Sequence, residues 1–226
     1  MSDGDVFFRI QLLWGVAPPI LLILCVVTWQ LISKCKNIEE LDTKIKTSCV
    51  ALMYLVWPSL CSQTFSLFAC RSICNDATTF LRADLDVSCW EGVHAHYAFG
   101  LGFPMLIFYV IGLPLAALLR VRNMHRTTEM DPEEEKVYGM FYTAFRPEMW
   151  WWEITVAARK IVIALIGVFG AEMGDMQVHL TLMLVMFILL VTSQIRPFGG
   201  LKHGILHVLE MASLMVSSLV VIPLFF

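Results

Sequence analysis

Long apolar runs alternate with shorter polar stretches from one end of the chain to the other, and the apolar runs keep no period-2 alternation. Six of them fall at about residues 8–32, 48–70, 97–119, 147–169, 177–195 and 205–226. Each is of the length that a helix needs to cross about 30 Å of hydrocarbon. The pattern predicts an all-α integral membrane protein, a bundle of about six transmembrane helices forming one domain over residues 1–226. Between the first two runs, residues 33–47 are polar. Asn37 there is a candidate helix cap, Ile38, Leu41 and Ile45 share a face, and Glu40 with Lys44 and Asp42 with Lys46 are i,i+4 charge pairs. These features predict a short helix lying on the membrane surface.

The spans differ in character. Pro18 and Pro19 predict a kink or a break in the first. The second carries Pro58 with Ser62, Gln63 and Ser66, a polar face that belongs against other helices rather than lipid. Gly100, Gly102, Pro104, Gly112 and Pro114 in the third permit close helix approach and local unwinding. The fourth is the anomaly. Its sequence from 146 is RPEMWWWEITVAARKIVIALIGVFG, with Pro147 in its first turn, three Trp suited to an interface, and Glu153, Arg159 and Lys160 within the apolar length. Lys160 falls roughly 15 Å from either end of such a helix, near the bilayer midplane.

Composition agrees with the pattern. Hydrophobic residues make up 58% of the chain and charged residues 15%, with a mean hydropathy of +0.72, which sets it apart from soluble domains. The net charge of −3 and the dispersed basic residues give no nucleic-acid surface. No phosphate-binding glycine loop, metal-spaced His and Cys cluster or nucleophile motif is present, so neither an enzyme nor a cofactor is expected.

Basic residues set the predicted orientation. Lys34, Lys36, Lys44, Lys46, Arg120, Arg122, Arg126, Lys136, Arg146, Arg196 and Lys202 fall in connections on one side, and only Arg9, Arg71 and Arg82 on the other. By the positive-inside rule the N-terminus is predicted outside, in the plasma membrane or another secretory-pathway membrane, with the Trp cluster at the cytosolic interface. The first apolar run is too long for a signal peptide and lacks a small-residue cleavage site. The apolar close VIPLFF points to a piece of a longer protein.

Candidate chemistry follows from that topology. Cys70, Cys74 and Cys89 lie in or beside the outer polar segment, an oxidising setting, and a Cys70–Cys89 disulfide is expected to leave Cys74 odd; the alternative is three free thiols. Arg159 and Lys160 form either a structural ion pair or a site that binds an anion or gates. Adjacent cations do not make the every-third-residue ladder of a voltage sensor. Glu153 is two turns from Lys160, and Glu210 in the sixth run is the other intramembrane carboxylate. His94 and His96 with Asp84 and Asp86 read as a solvated loop rather than a cation site, His179 and His207 as interfacial, and the DPEEE run at 131–135 as solvated surface.

Five segments also carry a resemblance: YLVWPSLCSQTFSLFAC at 54–70, FLRADLDVSCW at 80–90, YVIGLPLAALL at 109–119, YGMFYTAFRPEMWWWE at 138–153 with the following ARK, and SQIRPFGGLKHGILHVLEMASL at 193–214. In order and spacing they resemble the multi-span C-terminal region of very large surface proteins of algae, oomycetes and ciliates. Those regions are similar to the transient receptor potential and polycystin channels. The resemblance marks Cys70, Asp84, Cys89, Pro114, Trp151, Glu153, Lys160, Arg196, Pro197 and Glu210 as family-pattern positions. It implies a channel-like module for cation transport or gating, in an oligomer or a larger membrane assembly. The chain departs from that pattern in one respect: 196–204 is too short, and on the wrong side, for an outer re-entrant filter loop. The alternative is a non-conducting structural or receptor-type membrane anchor, or a subunit of a larger membrane complex.

Overall fold

A computed structural model describes residues 3–36, 39–72, 79–126, 132–141, 145–198 and 204–221. Asn37, Ile38, Cys74, Asp76, Asp131, Lys202 and the closing IPLFF beyond Val221 lie outside the described residues. The chain is mostly helical and divides into two compact units, Met1–Leu115 and Ala116–Phe226. Five helices among the described residues are long and apolar enough to cross a membrane: Val6–Cys35, Leu41–Ser66, Gly92–Arg126, Trp152–Glu172 and Asp175–Ile195. Their large side chains point outward in a way that water would penalise, with Leu13 70% and Leu55 72% exposed.

In the first unit α1 covers Asp3–Cys35 and runs on as helix through Pro18 and Pro19, so the expected break is absent. The prolines act on hydrogen bonding instead. Pro19 has no N–H to give to the carbonyl of Gly15, and the hydroxyl of Tyr109 donates to that oxygen at 2.9 Å. The second helix, α2, covers Leu41–Ser66 and starts from Glu40, which sits in the left-handed region at φ 56°. The short surface helix expected before the second span is therefore not a separate element. Its Leu41–Thr47 portion forms the opening turns of α2, because nothing there breaks the helix and Asp42 pairs with Lys46.

The second span does not reach residue 70 as a helix. After Ser66 the chain turns into a three-stranded antiparallel sheet, which qualifies the all-α expectation: β1 is Cys70–Ser72, β2 Thr79–Leu81 and β3 Asp84–Ser88, in the order β1-β2-β3. Cys70 pairs with Leu81 and Phe80 with Ser88. Leu81 and Cys89 pack with Phe8 and Leu67 in a small core, and Phe8 stacks on Tyr97 at 4.3 Å between ring centroids. The sheet thus sits against one end of α1 and α2.

The third helix, α3, covers Gly92–Arg126 and is interrupted by π-helical turns at Ala98–Gly102 and Leu106–Gly112. The cause lies in the sequence. A proline ring collides with the carbonyl four residues earlier, which for Pro104 is Gly100 and for Pro114 is Val110, both inside the widened turns. Gly112 lies so close to the carbonyl oxygen of Ile107 that a Cβ would approach it to 2.9 Å.

The second unit holds α4 (Pro132–Tyr138), α5 (Trp152–Phe169), α6 (Asp175–Ile195) and α7 (Gly204–Val221). In the DPEEE run Glu133 and Glu135 are exposed and Glu134 is half-buried. Pro132 opens α4 and Glu133, Glu134 and Glu135 fill its first turn, where the helix dipole favours acids. Pro147 opens a 3₁₀ turn, Pro147–Met149, rather than α5 itself. The amide of Gln177 donates to the carbonyl of Ile166 at 3.1 Å, capping the end of α5 from the next helix. After α6, Arg196 takes a left-handed conformation at φ 46°. The N–H of Arg146 donates to the carbonyl of Pro197 at 2.9 Å, and Phe145 bridges to Phe198.

The widened second turn of α3 gives a direct check. Gly112→Ala forces its methyl into backbone and is expected to destabilise the chain by about 1–3 kcal/mol. Gly100→Ala, whose Cβ meets nothing within 4 Å, is expected to be near neutral. Equal thermal-unfolding midpoints for the two variants in detergent would refute the assignment of strain to Gly112.

Candidate functional site

Two groups of polar side chains lie inside apolar helices, one in each unit. In the first unit they link α1, α2 and α3. The Nε2 of Gln11, a fully buried residue, donates to Oε1 of Gln63 at 3.1 Å, while Oε1 of Gln11 has no hydrogen-bond partner. The indole N–H of Trp57 donates to the carbonyl of Tyr109 at 3.0 Å. A carbonyl there loses its π-helical partner because residue 114 is proline. Of the polar face expected on α2, Gln63 reaches across to another helix. The hydroxyl of Ser66 donates back to the carbonyl of Ser62 in its own helix at 2.9 Å, as Ser and Thr in apolar helices commonly do. Ser62 itself is half-buried.

At the sheet end of this unit Cys70 and Cys89 form a disulfide, with 6.2 Å between their Cα atoms. Its neighbour is His94, fully buried in α3, not solvated. Nδ1 of His94 accepts from the N–H of Trp90 at 2.9 Å, which leaves Nε2 carrying the proton that it gives to the carbonyl of Leu67, also at 2.9 Å. The ring thus joins the start of α3 to the end of α2. One of its ring nitrogens and the two disulfide sulfurs lie within 4.8 Å of one another, yet a bonded pair of sulfurs and a doubly engaged ring leave no free ligand set. Asp84 serves the sheet: its Oδ1 accepts from the N–H of Asp86 at 2.9 Å. His96 is exposed and turns to the carbonyl of Gly92.

In the second unit the guanidinium of Arg159 on α5 pairs with the carboxylate of Glu210 on α7, with only 19% and 26% of their side chains exposed. The charged atoms meet directly, so this is a charge-assisted hydrogen bond as well as an ion pair. Glu153 stands in the first turn of α5 and Lys160 follows Arg159, both half-buried. A groove of about 60 Å³ beside Arg159 is lined by Trp152, Thr155, Val156, Phe187, Val191 and Thr192. It is largely apolar and holds no cluster of acids or nucleophiles. Near the Trp run, Trp150 stacks on His125 at 5.7 Å between centroids. His179 is exposed at the start of α6, with Nδ1 at 2.7 Å from the carbonyl of Asp175, while the side chain of His207 lies outside the described residues.

Sequence reading missed Gln11, Trp57, Tyr109 and the buried role of His94. A lone amide in an apolar run was the available signal for Gln11. Nothing in the pattern marks a histidine as buried when its neighbours are Val93, Ala95 and a second histidine.

No family model matches this chain, and no solved structure matches it. It is similar to the cysteine repeat modular protein A of Toxoplasma gondii, with 26% identity over 185 residues that cover 77% of the chain. The chain spans 6% of that relative's length.

The ion pair yields a charge-swap prediction. Arg159→Ala or Glu210→Ala leaves one partly buried charge unpaired and is expected to cost roughly 2–4 kcal/mol. The exchanged pair Arg159→Glu with Glu210→Arg is expected to recover most of the loss. Chemical-denaturant unfolding of the four forms in one detergent checks it, and additive losses in the exchanged pair would contradict the contact.

Proposed function

We propose that this chain is a non-conducting, receptor-type membrane anchor that holds a large ectodomain or assembly. The observation that carries this reading is its likeness to a stretch amounting to 6% of a cysteine repeat modular protein, coupled to five helices of membrane-crossing length and apolarity. The disulfide-closed sheet supports it: the Cys70–Cys89 bond and the His94 bridge tie the segment after α2 to the start of α3, giving a firm seat at one end of the helices. On this reading α7 is a sixth span, the N-terminus is outside, and the protein resides in the plasma membrane or another secretory-pathway membrane.

The internal charges and amides then fix helix register. A pair such as Arg159 and Glu210 is costly in lipid unless each finds the other, so only one arrangement of α5 and α7 satisfies both. Topology mapping tests the anchor and its orientation. A glycosylation acceptor inserted after Ala83 is expected to be used, and one inserted among residues 127–131 is not. Use of the second site would reverse the proposed orientation, and extraction of the chain from membranes by alkaline carbonate would end the anchor reading.

A second reading, a channel-like module for cations in an oligomer or larger assembly, is favoured by the unpartnered Oε1 of fully buried Gln11, an acceptor oxygen inside the helix bundle. Purified protein in planar bilayers separates the two. A cation current that Gln11→Leu alters in selectivity or amplitude supports conduction, and a silent bilayer at matched protein density supports the anchor.

A further inference from the structure

Two of the cysteines are neither in the outer segment nor in a polar environment. Cys25 lies on α1 and Cys49 on α2, both half-buried and both free thiols. The packing of the helices sets the two in register. Fourteen residues separate Gln11 from Cys25 on α1, and fourteen separate Cys49 from Gln63 on α2. Fourteen residues is close to four helical turns, so Gln11 and Cys25 share one face of α1 as Cys49 and Gln63 share one face of α2. In an antiparallel pair, the Gln11–Gln63 hydrogen bond therefore sets Cys25 opposite Cys49. Beside them the indole N–H of Trp29 donates to the hydroxyl of Ser48 at 3.0 Å, a second cross-link.

We propose that Cys25 and Cys49 are a dithiol site that closes reversibly to an intrachain disulfide tying α1 to α2, with a low-molecular-weight disulfide of the glutathione type as oxidant. One protein thiolate attacks a sulfur of the small disulfide, releasing one small thiol and leaving a mixed disulfide. The second protein thiolate then displaces the remaining small thiol. Two protein thiols have lost two protons and an electron pair, and one small disulfide has become two small thiols.

Three arguments select this chemistry. The Gln11–Gln63 and Trp29–Ser48 bonds hold the two cysteines on facing sides of adjacent antiparallel helices, the approach that a disulfide needs. The product is neutral. Two thiolates on a soft monovalent ion, the other chemistry open to such a pair, would leave a net negative charge half-buried among apolar side chains. Finally, the pair and the Cys70–Cys89 bond sit at opposite ends of α2. On the proposed orientation the first lies toward a reducing cytosol and the second toward an oxidising exterior, so Cys25 and Cys49 rest as thiols and respond only when the cytosol becomes oxidising.

The test uses the full chain in native membranes, equilibrated with mixtures of reduced and oxidised glutathione and mapped by mass spectrometry without reduction. The expected result is a peptide linking Cys25 to Cys49 that rises with the oxidised fraction and disappears on reduction, while the Cys70–Cys89 peptide stays constant and reports an intact fold. A phenylarsine oxide probe, which needs two adjacent thiols, is expected to be retained by the wild type. Cys25→Ala and Cys49→Ala are each expected to lose it. Finding only single mixed disulfides on Cys25 and Cys49, a cross-link that favours exposed Cys35, or arsenical retention by either variant equal to the wild type overturns the proposal.

Discussion

A bilayer core offers no water to an unpaired backbone group, and these helices carry prolines that create such groups. Pro18, Pro19, Pro58, Pro104 and Pro114 each remove a donor, and the three-helix packing of the first unit is arranged around two of the carbonyls that result. The Tyr109 hydroxyl serves Gly15 on α1, and the Trp57 indole serves Tyr109 on α3. A net gain of about 1 kcal/mol is usual for one such bond, but the cost of leaving the carbonyl unmet in lipid is larger. Satisfying the prolines therefore fixes which helix lies against which.

The same logic extends to side chains. Gln11 and Gln63, Cys25 and Cys49, and Trp29 and Ser48 place polar atoms along one α1–α2 seam, where apolar contact alone would allow sliding. Arg159 and Glu210 do the equivalent for α5 and α7. In the first unit the seam ends in a covalent stop, the Cys70–Cys89 bond, with His94 held in one tautomer beneath it.

Much of this was legible in the sequence, for physical reasons that differ by element. Helix positions follow from apolar length, which a membrane enforces. The disulfide was legible because polar surroundings set Cys70, Cys74 and Cys89 apart from the cysteines of the apolar runs, and Glu210 because carboxylates are few within those runs. The sheet was hidden because strands such as Thr79–Leu81 are too short to show an alternation. The surface helix was misjudged because a polar stretch with ion pairs reads alike whether it lies on a membrane or opens a span. Cys25 and Cys49 escaped notice because a contact between two helices depends on register, and register is a property of the pair.

The widened turns of α3 have a consequence for its phase. Each wide turn holds more residues than an α-turn, so the helix faces before Ala98 and after Gly112 are offset from what a uniform 3.6-residue period would give. The side of α3 that meets its neighbours is thus continuous in space but discontinuous along the sequence. Two such slack points also let α3 absorb a one-residue change in length by tightening a turn, a tolerance that an uninterrupted helix of the same span does not possess.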